Sequence, residues 1–105
     1  MREKFRVVFA GRSVQDLEDI APYLAERSGG PWFGEIWLDS ILEHIERLEQ
    51  FPFGYPEFCV APYRKLFHGR YLVIFRIDEL SGEVFVVRVI HGMRLGENVG
   101  PLKSE

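Results

Sequence analysis

Apolar residues recur along this chain with two different spacings, and those spacings predict its secondary structure. Residues 5–10, FRVVFA, are a short run of β-branched and aromatic residues, which is typical of a buried strand. Residues 14–27 and 32–50 place apolar side chains three and four positions apart, as one face of a helix does. Residues 63–67, 71–77 and 83–90 are apolar runs separated by turn residues, which indicates three strands. The pattern therefore predicts the order β-α-α-β-β-β, an α+β fold.

Local signals predict how the first helix begins, bends and ends. Ser13 stands three residues before Asp16, a spacing typical of a helix N-cap with a capping-box partner. Pro22 lies inside the helix and cannot donate a backbone hydrogen bond to the carbonyl of Glu18. We therefore expect a kink or a local break at Pro22. The turn at residues 28–31, SGGP, is short enough to make the two helices an antiparallel hairpin.

Tight turns connect the last three strands. His68-Gly69 separates the first two, and residues 80–82, LSG, separate the next two, so we predict an antiparallel meander. The first strand is expected beside the last, which puts the helical hairpin on one face of a small, mainly antiparallel sheet. Three prolines keep residues 51–62, FPFGYPEFCVAP, out of helix and central strand. The aromatic side chains of this segment are expected to pin it to the body.

Length and composition predict one domain at residues 1–95 and a short C-terminal tail at residues 96–105. Apolar residues make up 47% of the 105 residues, which excludes intrinsic disorder. No apolar run approaches the roughly 20 residues that span a bilayer. The start of the chain lacks the long apolar segment of a secretion signal. We therefore expect a soluble, cytoplasmic protein that does not act on membranes.

Motifs for cofactor, metal or nucleophile chemistry are missing from the sequence. The chain has a single cysteine, Cys59, which excludes an intrachain disulfide and leaves no cluster for a structural zinc. It has no glycine-rich phosphate loop and no nucleophile elbow. The sequence predicts no metal and no cofactor.

The net charge of −3 is unevenly distributed along the chain. Residues 1–60 carry 6 basic and 11 acidic residues, whereas residues 61–105 carry 7 basic and 5 acidic residues. The predicted sheet is thus the basic half, which favours an anionic partner at the sheet. An overall basic domain would be expected of a nucleic-acid binder. We therefore predict no direct sequence-specific DNA binding.

Arginines interrupt the predicted strands, although an unpaired guanidinium is costly to bury. Alternation along the strands places Arg76 on the face of Leu72 and Ile74, and Arg88 on the face of Val84, Val86 and Ile90. One interpretation is a basic, partly apolar surface on the face away from the helices, shared by both arginines. The other is a set of edge salt bridges to Asp78, Glu79 or Glu83.

The ordered segments FRVVFA, WLDSILEHIERLEQFP, YRKLF and VVRVIHGMR resemble the RelE/ParE toxin superfamily of type II toxin–antitoxin systems. The resemblance covers residues 5–94, and the fold of that superfamily agrees with the order of elements predicted above. It implies a toxin that inhibits growth, contributes to plasmid stabilisation and is neutralised by an antitoxin. Members of the RelE type cleave mRNA on the ribosome, whereas members of the ParE type block DNA gyrase.

The segment after the last strand favours the ParE type. RelE-like toxins use basic residues and a tyrosine near the C-terminus, but here His91-Gly92-Met93-Arg94 carries no aromatic residue. The resemblance therefore implies a gyrase inhibitor, and two other possibilities stay open. One is a ribosome-dependent endoribonuclease, and the other is a non-toxic relative that only binds its partner. An endoribonuclease would use these residues: Arg64, Lys65, Arg76, Arg88 and His91.

The resemblance also implies two binding surfaces and a partner. The residues expected to bind the target are Arg64, Arg76, Arg88, His91 and Arg94. The residues expected to bind the antitoxin are Trp32, Phe33, Trp37, Phe53, Tyr55 and Phe58, because large aromatic side chains dominate interfaces. The implied partner is a ParD-like antitoxin, in a heterotetramer of two toxins and an antitoxin dimer.

Overall fold

A computed structural model describes residues 4–94 of the chain, with Arg94 described by its backbone alone. The strands and helices are β1 (Arg6–Phe9), α1 (Gly11–Ser28), α2 (Pro31–Glu46), β2 (Tyr63–His68), β3 (Tyr71–Asp78) and β4 (Glu83–His91). Short 3-10 turns follow at Arg47–Glu49, Pro52–Gly54 and Gly92–Arg94. This order confirms the predicted α+β fold. The predicted tail at residues 96–105 lies outside the described residues.

The four strands form one mixed sheet in the order β1-β4-β3-β2. β1 runs parallel to β4, whereas β4 with β3 and β3 with β2 are antiparallel pairs. The first strand therefore lies beside the last strand of the meander, as predicted. β1 pairs only with residues 83–86, so the second half of β4 extends beyond it. That uncovered stretch of β4 is where α1 contacts the sheet edge.

The main core lies between the sheet and the two helices. Its buried side chains come from both helices and three strands: Leu17, Ile41, Ile45, Leu66, Tyr71, Val73, Phe75, Val84, Val86 and Val89. The other side of the sheet carries a smaller buried cluster of Phe58, Leu72, Ile74 and Val87. Phe58 comes from the segment between α2 and β2, so this segment covers part of the second face. Its predicted attachment to the body is confirmed.

The structure corrects the predicted N-cap of α1 and excludes a break at Pro22. The helix begins at Gly11, so Ser13 lies in its first turn, where the hydroxyl donates a hydrogen bond of 2.7 Å to the carbonyl of Ala10. Ser13 is therefore not the N-cap. The helix also continues unbroken through Pro22 to Ser28. Proline removes a single donor, and the hydrogen bonds on either side of it hold the helix together.

α2 ends at Glu46 instead of reaching residue 50, because its last turn tightens into the 3-10 turn Arg47–Glu49, as helix ends often do. It packs closely against α1 at Gly34. A Cβ atom at this glycine would stand 2.4 Å from the carbonyl oxygen of Ala21. The two helix backbones therefore approach each other at a distance that only glycine allows.

A bulge in β4 changes the face of its arginine. Val86 and Arg88 pair with consecutive residues of β3, so Val87 is an extra residue between them. Simple alternation places Arg88 on the face of Val84 and Val86, and this prediction is wrong. Val84 and Val86 lie in the core beneath the helices, whereas Arg88 pairs with Ile74, a member of the opposite cluster.

Candidate functional site

The sheet face away from the helices, here called the open face, interleaves aromatic and basic side chains. The strand register places Tyr63, Lys65 and Phe67 of β2 beside Arg76, Ile74 and Leu72 of β3. Phe85, Val87, Arg88 and Ile90 of β4 continue the same face. Two of its cations lie over rings. The guanidinium carbon of Arg76 is 4.5 Å from the ring centroid of Phe85, and Lys65 Nζ is 5.9 Å from that of Phe67.

Arg76 and Lys65 keep their charged groups available for a partner. Within residues 4–94 neither has an ion pair or a side-chain hydrogen bond, and the ring contacts are their described interactions. Phe67 beside them is half exposed. A cation on an aromatic ring is attracted to its face and is held in position without being neutralised. This pair of cations is therefore the part of the open face that is best prepared to bind an anionic group.

Arg88 is held by a carboxylate of α1. Its Nε donates to Asp16 Oδ2 at 2.8 Å and its Nη2 donates to Asp16 Oδ1 at 3.3 Å. The backbone N–H of Val89 also donates to Asp16 Oδ2 at 2.8 Å. The exposed fractions of the two charged side chains are only 12% and 9%. Arg88 thus forms a salt bridge, as one interpretation expected, but its partner is Asp16 of α1 and none of the three acidic residues named for it.

Arg64 is also engaged within the chain. Its Nη1 donates to the carbonyl of Tyr55 at 2.6 Å, and its guanidinium carbon lies 5.5 Å from the ring centroid of Phe53. It pairs with Phe75 in the sheet and therefore belongs to the helix-facing side. The arginine fixes the segment between α2 and β2, and its predicted role in target binding stays a prediction.

His91 lies on the helix-facing side at the end of β4. It pairs with Tyr71, and the two ring centroids are 5.1 Å apart. Its Nδ1 accepts a hydrogen bond of 3.1 Å from the backbone N–H of Met93. His91 is thus directed away from Lys65 and Arg76. The side chain of Arg94, the last predicted target-binding residue, lies outside the description.

The sheet does not gather the predicted catalytic set into one site. Lys65 and Arg76 lie on the open face, Arg88 is held by Asp16, and Arg64 and His91 belong to the helix-facing side. General acid–base catalysis needs a proton-transferring group within hydrogen-bond reach of the reacting atoms. The open face instead presents the cations of Lys65 and Arg76 beside aromatic rings, and this arrangement is suited to binding a partner.

A cluster that the sequence did not predict lies at the seam between α2 and the sheet. His44 Nδ1 and His68 Nδ1 are 2.9 Å apart, and Ser40 Oγ is 3.0 Å from His68 Nε2. Trp37 packs edge-on against both His68 and Tyr71. Ser40 and His44 are four residues apart in the sequence, a spacing that places both on one side of a helix. Their meeting with His68 depends on how α2 lies on β2, which periodicity does not reveal.

The seam shifts the pKa values of its two histidines. Burial lowers the pKa of His44, and the positive charge of Arg47 lowers it further. Burial also lowers the pKa of His68, and the nearby His44 adds to that shift. Both shifts favour neutral imidazoles at the pH of the cell.

The residues predicted to bind an antitoxin divide into exposed and packed side chains. Trp32 is 61% exposed at the start of α2, where it stacks edge-on against Phe33, and Phe53 is about half exposed. Trp37 packs on Tyr71. Of the remaining two, Tyr55 packs on Phe75 in the core, and Phe58 is buried on the other face. The exposed members are those best placed to contact a partner directly.

A groove runs between the two helices close to Trp32. Its volume is about 460 Å³, and small or apolar residues line most of it, among them Ala21, Pro22, Ala25, Gly34 and Leu38. Trp32 and Ile36, which do not line the groove, stand one turn apart on α2 and are both more than half exposed. Exposed apolar surface of this kind marks binding sites for other proteins.

The described residues contain no group of three or more histidine, cysteine or acidic side chains placed to hold a metal ion. Over the same part of the chain, the helices are too short or too polar to cross a membrane.

The family model for the ParE toxin of type II toxin–antitoxin systems, parDE, matches residues 7–96. The chain belongs to the ParE toxin family. It is therefore a toxin of a type II toxin–antitoxin system, as the resemblance implied. Among curated protein sequences, none matches this ParE-family chain significantly.

Solved toxin–antitoxin structures share the fold of this ParE-family chain. A chain of the chromosomal ParDE system from P. aeruginosa superimposes with a TM-score of 0.74 at 17% identity, covering 86% of this chain and 98% of that one. A chain of the RelBE2 toxin–antitoxin complex from Mycobacterium tuberculosis gives a TM-score of 0.63 at 20% identity, with coverages of 84% and 98%. At these identities the likeness extends to the fold alone.

Proposed function

We propose that this ParE-family toxin arrests growth by binding and poisoning DNA gyrase in the cytoplasm, and that a ParD-like antitoxin silences it. The observation that carries the proposal is the dispersal of the five residues that an RNA-cutting site would need. Arg88 and Arg64 are engaged within the chain, and His91 is directed to the helix side. Lys65 and Arg76 are the two cations left on the aromatic open face, which supports a toxin that acts by binding its target.

The target surface is centred on Lys65 and Arg76 of the open face. Both are free of ion pairs within residues 4–94, and both lie against exposed or half-buried aromatic rings. Arginine and aromatic residues at the centre of an interface supply most of its binding energy. We expect Arg76 to be the stronger contributor, because its planar guanidinium makes several directed hydrogen bonds.

Supercoiling by purified gyrase tests this proposal. The chain is expected to inhibit supercoiling and to leave cleaved DNA, and Arg76→Ala is expected to weaken inhibition by about tenfold or more. The matched control is Arg27→Ala, which removes an arginine that lies over Tyr23 on α1, away from the open face. Normal supercoiling at high toxin concentration would exclude gyrase as the target.

Two further readouts separate gyrase poisoning from the other possibilities. Cleaved transcripts during translation, lost in both Arg76→Ala and His91→Ala, would indicate a ribosome-dependent endoribonuclease instead. Undiminished growth after induction of the chain without an antitoxin would indicate a non-toxic binding module. Gyrase poisoning requires growth arrest, a DNA-damage response and intact transcripts in the same culture.

The antitoxin is proposed to cover the groove between the helices and the exposed side chains of Trp32 and Ile36 on α2. Their exposure on a toxin of a type II system supports this surface. The solved relatives are toxin–antitoxin complexes, which supports a partner of the same kind. Trp32→Ala is expected to weaken antitoxin binding by about thirtyfold, as for an exposed aromatic anchor.

Calorimetric titration of the chain with its antitoxin measures this loss, and mass measurement in solution tests the proposed heterotetramer. The control is Leu80→Ala in the turn between β3 and β4, whose side chain is 97% exposed. Equal affinity of the Trp32 variant and the parent would place the antitoxin elsewhere.

A further inference from the structure

All three histidines of the chain lie at one end of the sheet, and two of them meet at the seam between α2 and the strands. His44 belongs to α2, and His68 ends β2 at the hairpin that leads to β3. Their Nδ1 atoms are 2.9 Å apart, which is hydrogen-bond distance, so one ring must donate and the other must accept. His91 lies on the far side of Tyr71 and belongs to the same row of rings.

The number of protons that this arrangement can hold is limited by its geometry. The neutral pair carries two protons. One lies between the two Nδ1 atoms, and the other is on Nε2 of the ring that accepts this hydrogen bond. A third proton can be added at an outer Nε2, and the His68 ring then donates to Ser40 Oγ, 3.0 Å away. A fourth proton would have to enter at the accepting Nδ1, where it would meet the bridging N–H. The pair therefore holds at most one positive charge while its hydrogen bond is intact.

We propose that His44 and His68 form a proton-limited lock that holds α2 onto the β2–β3 hairpin and opens when both imidazoles become charged. The lock goes beyond target binding and antitoxin binding, and it uses none of the residues proposed for them. It is a regulatory device of the fold, which responds to acidification of the surroundings.

The groups that face the lock do not relieve the added charge. From α2, Arg47 acts on His44 with a charge of the same sign, and Ser40 is neutral. The neutral ring of Trp37 packs on His68 from α2 as well. The strands contribute Tyr71 and, behind it, His91. Within residues 4–94, neither imidazole of the lock has a carboxylate in ion-pair contact.

The sign of the pH dependence follows from proton counting. In the unfolded chain each imidazole binds a proton near pH 6.5, whereas the folded chain with the lock intact binds at least one proton fewer. The stabilising effect is therefore complete above the unfolded pKa and is lost as the pH falls below it. For each proton that only the unfolded chain binds, the unfolding equilibrium constant rises by about tenfold for every pH unit by which the pH falls in that range.

Nuclear magnetic resonance of the full chain, labelled with nitrogen-15 at histidine, tests the bond directly. A scalar coupling between the two Nδ1 nuclei is expected at pH 7.5, with one ring protonated at Nδ1 and the other not. His91→Gln is the matched control, since it removes the third imidazole and is expected to leave the coupling unchanged. Two rings that titrate independently near pH 6.5, with no coupling between them, would overturn the proposal.

Denaturation between pH 7.5 and 5.5 tests the consequence. The parent chain and His91→Gln are expected to lose stability as the pH falls, by about tenfold in the unfolding constant per pH unit below 6.5. His44→Gln is expected to lose most of this dependence, because its amide oxygen accepts from His68 without gaining a charge. Equal slopes in all three chains would refute the lock.

A chelator distinguishes a proton from a metal ion between the two nitrogen atoms. The measurements are repeated with EDTA and with added Zn²⁺. Stability and coupling that are unaffected by EDTA support the lock. A loss of stability in EDTA, restored by Zn²⁺, would mean that the two imidazoles hold a metal, and the proposal would be wrong.

Discussion

Removal of the Asp16 carboxylate should destabilise the fold more than any other loss of a single charge among residues 4–94. This carboxylate accepts from Arg88 Nε and from the backbone N–H of Val89, both at 2.8 Å. Asp16→Ala would leave a guanidinium that is 12% exposed without its buried counter-ion, and an edge amide of β4 without an acceptor. Both losses occur where α1 meets the part of β4 that extends beyond β1.

The magnitude follows from the two losses. Breaking a buried ion pair by removing one partner costs about 3–5 kcal/mol, because the remaining charge stays buried. The unpaired N–H of Val89 is part of the same loss, since a buried donor without an acceptor costs about 1–3 kcal/mol. We therefore expect Asp16→Ala to reduce the free energy of unfolding by about 4 kcal/mol. That is a large fraction of the roughly 5–15 kcal/mol typical of a domain.

Urea denaturation followed by circular dichroism measures this change, and two further variants identify its cause. Asp16→Leu combined with Arg88→Met removes both charges, so it should be more stable than Asp16→Ala alone. Asp16→Asn keeps an oxygen for the Val89 amide and should lie between the parent and Asp16→Ala.

The control for this prediction is the exposed ion pair between Arg6 and Glu83, in which the Arg6 side chain is 75% exposed. Arg6→Ala should leave the denaturation midpoint close to that of the parent, because solvent screens exposed pairs. A loss below about 1 kcal/mol in Asp16→Ala, or a double variant no more stable than the single one, would refute the role given to this carboxylate.

Three other predictions test the packing and the seam. Gly34→Ala should cost about 1–3 kcal/mol of stability and weaken antitoxin binding, because its methyl group would press on the Ala21 carbonyl; denaturation and titration measure the two effects. Phe75→Ala should cost about 3–5 kcal/mol in denaturation, whereas Leu80→Ala, at a 97% exposed side chain, should cost little. Acidification from pH 7.5 to 5.5 should destabilise the chain through the histidine pair, and a flat profile of stability against pH would contradict this.

The order of elements was predictable because each element carries its own apolar spacing. Both helices and all four strands lie where that spacing places them, and the place of β1 beside β4 follows from the rules for connecting strands. The ends of the helices were less predictable. Ser13 satisfies the N-cap pattern by sequence, yet the helix begins at Gly11, three residues before the predicted start, and the hydroxyl donates to the carbonyl of Ala10.

The candidate site was only partly predictable, because it depends on register and on contacts across the sheet. One extra residue, Val87, moves Arg88 to the face opposite the one that alternation gives it. Its partner, Asp16, lies 72 positions away along the chain, a pairing that no local pattern reveals. The meeting of His44 and His68 depends in the same way on the position of α2 over β2.

The parallel pairing of β1 with β4 has a consequence for the moment at which the toxin becomes functional. Arg6 and Glu83, which pair across these strands, are 77 positions apart, so β1 has no neighbour until nearly all of the domain has been synthesised. Closing so long a loop is slow compared with forming the local helical hairpin. The helical hairpin, with its proposed antitoxin groove, can therefore form on the ribosome before β4 completes the open face and before β1 joins the sheet. An antitoxin already present in the cell would meet its proposed binding surface before the surface proposed to bind the target is assembled.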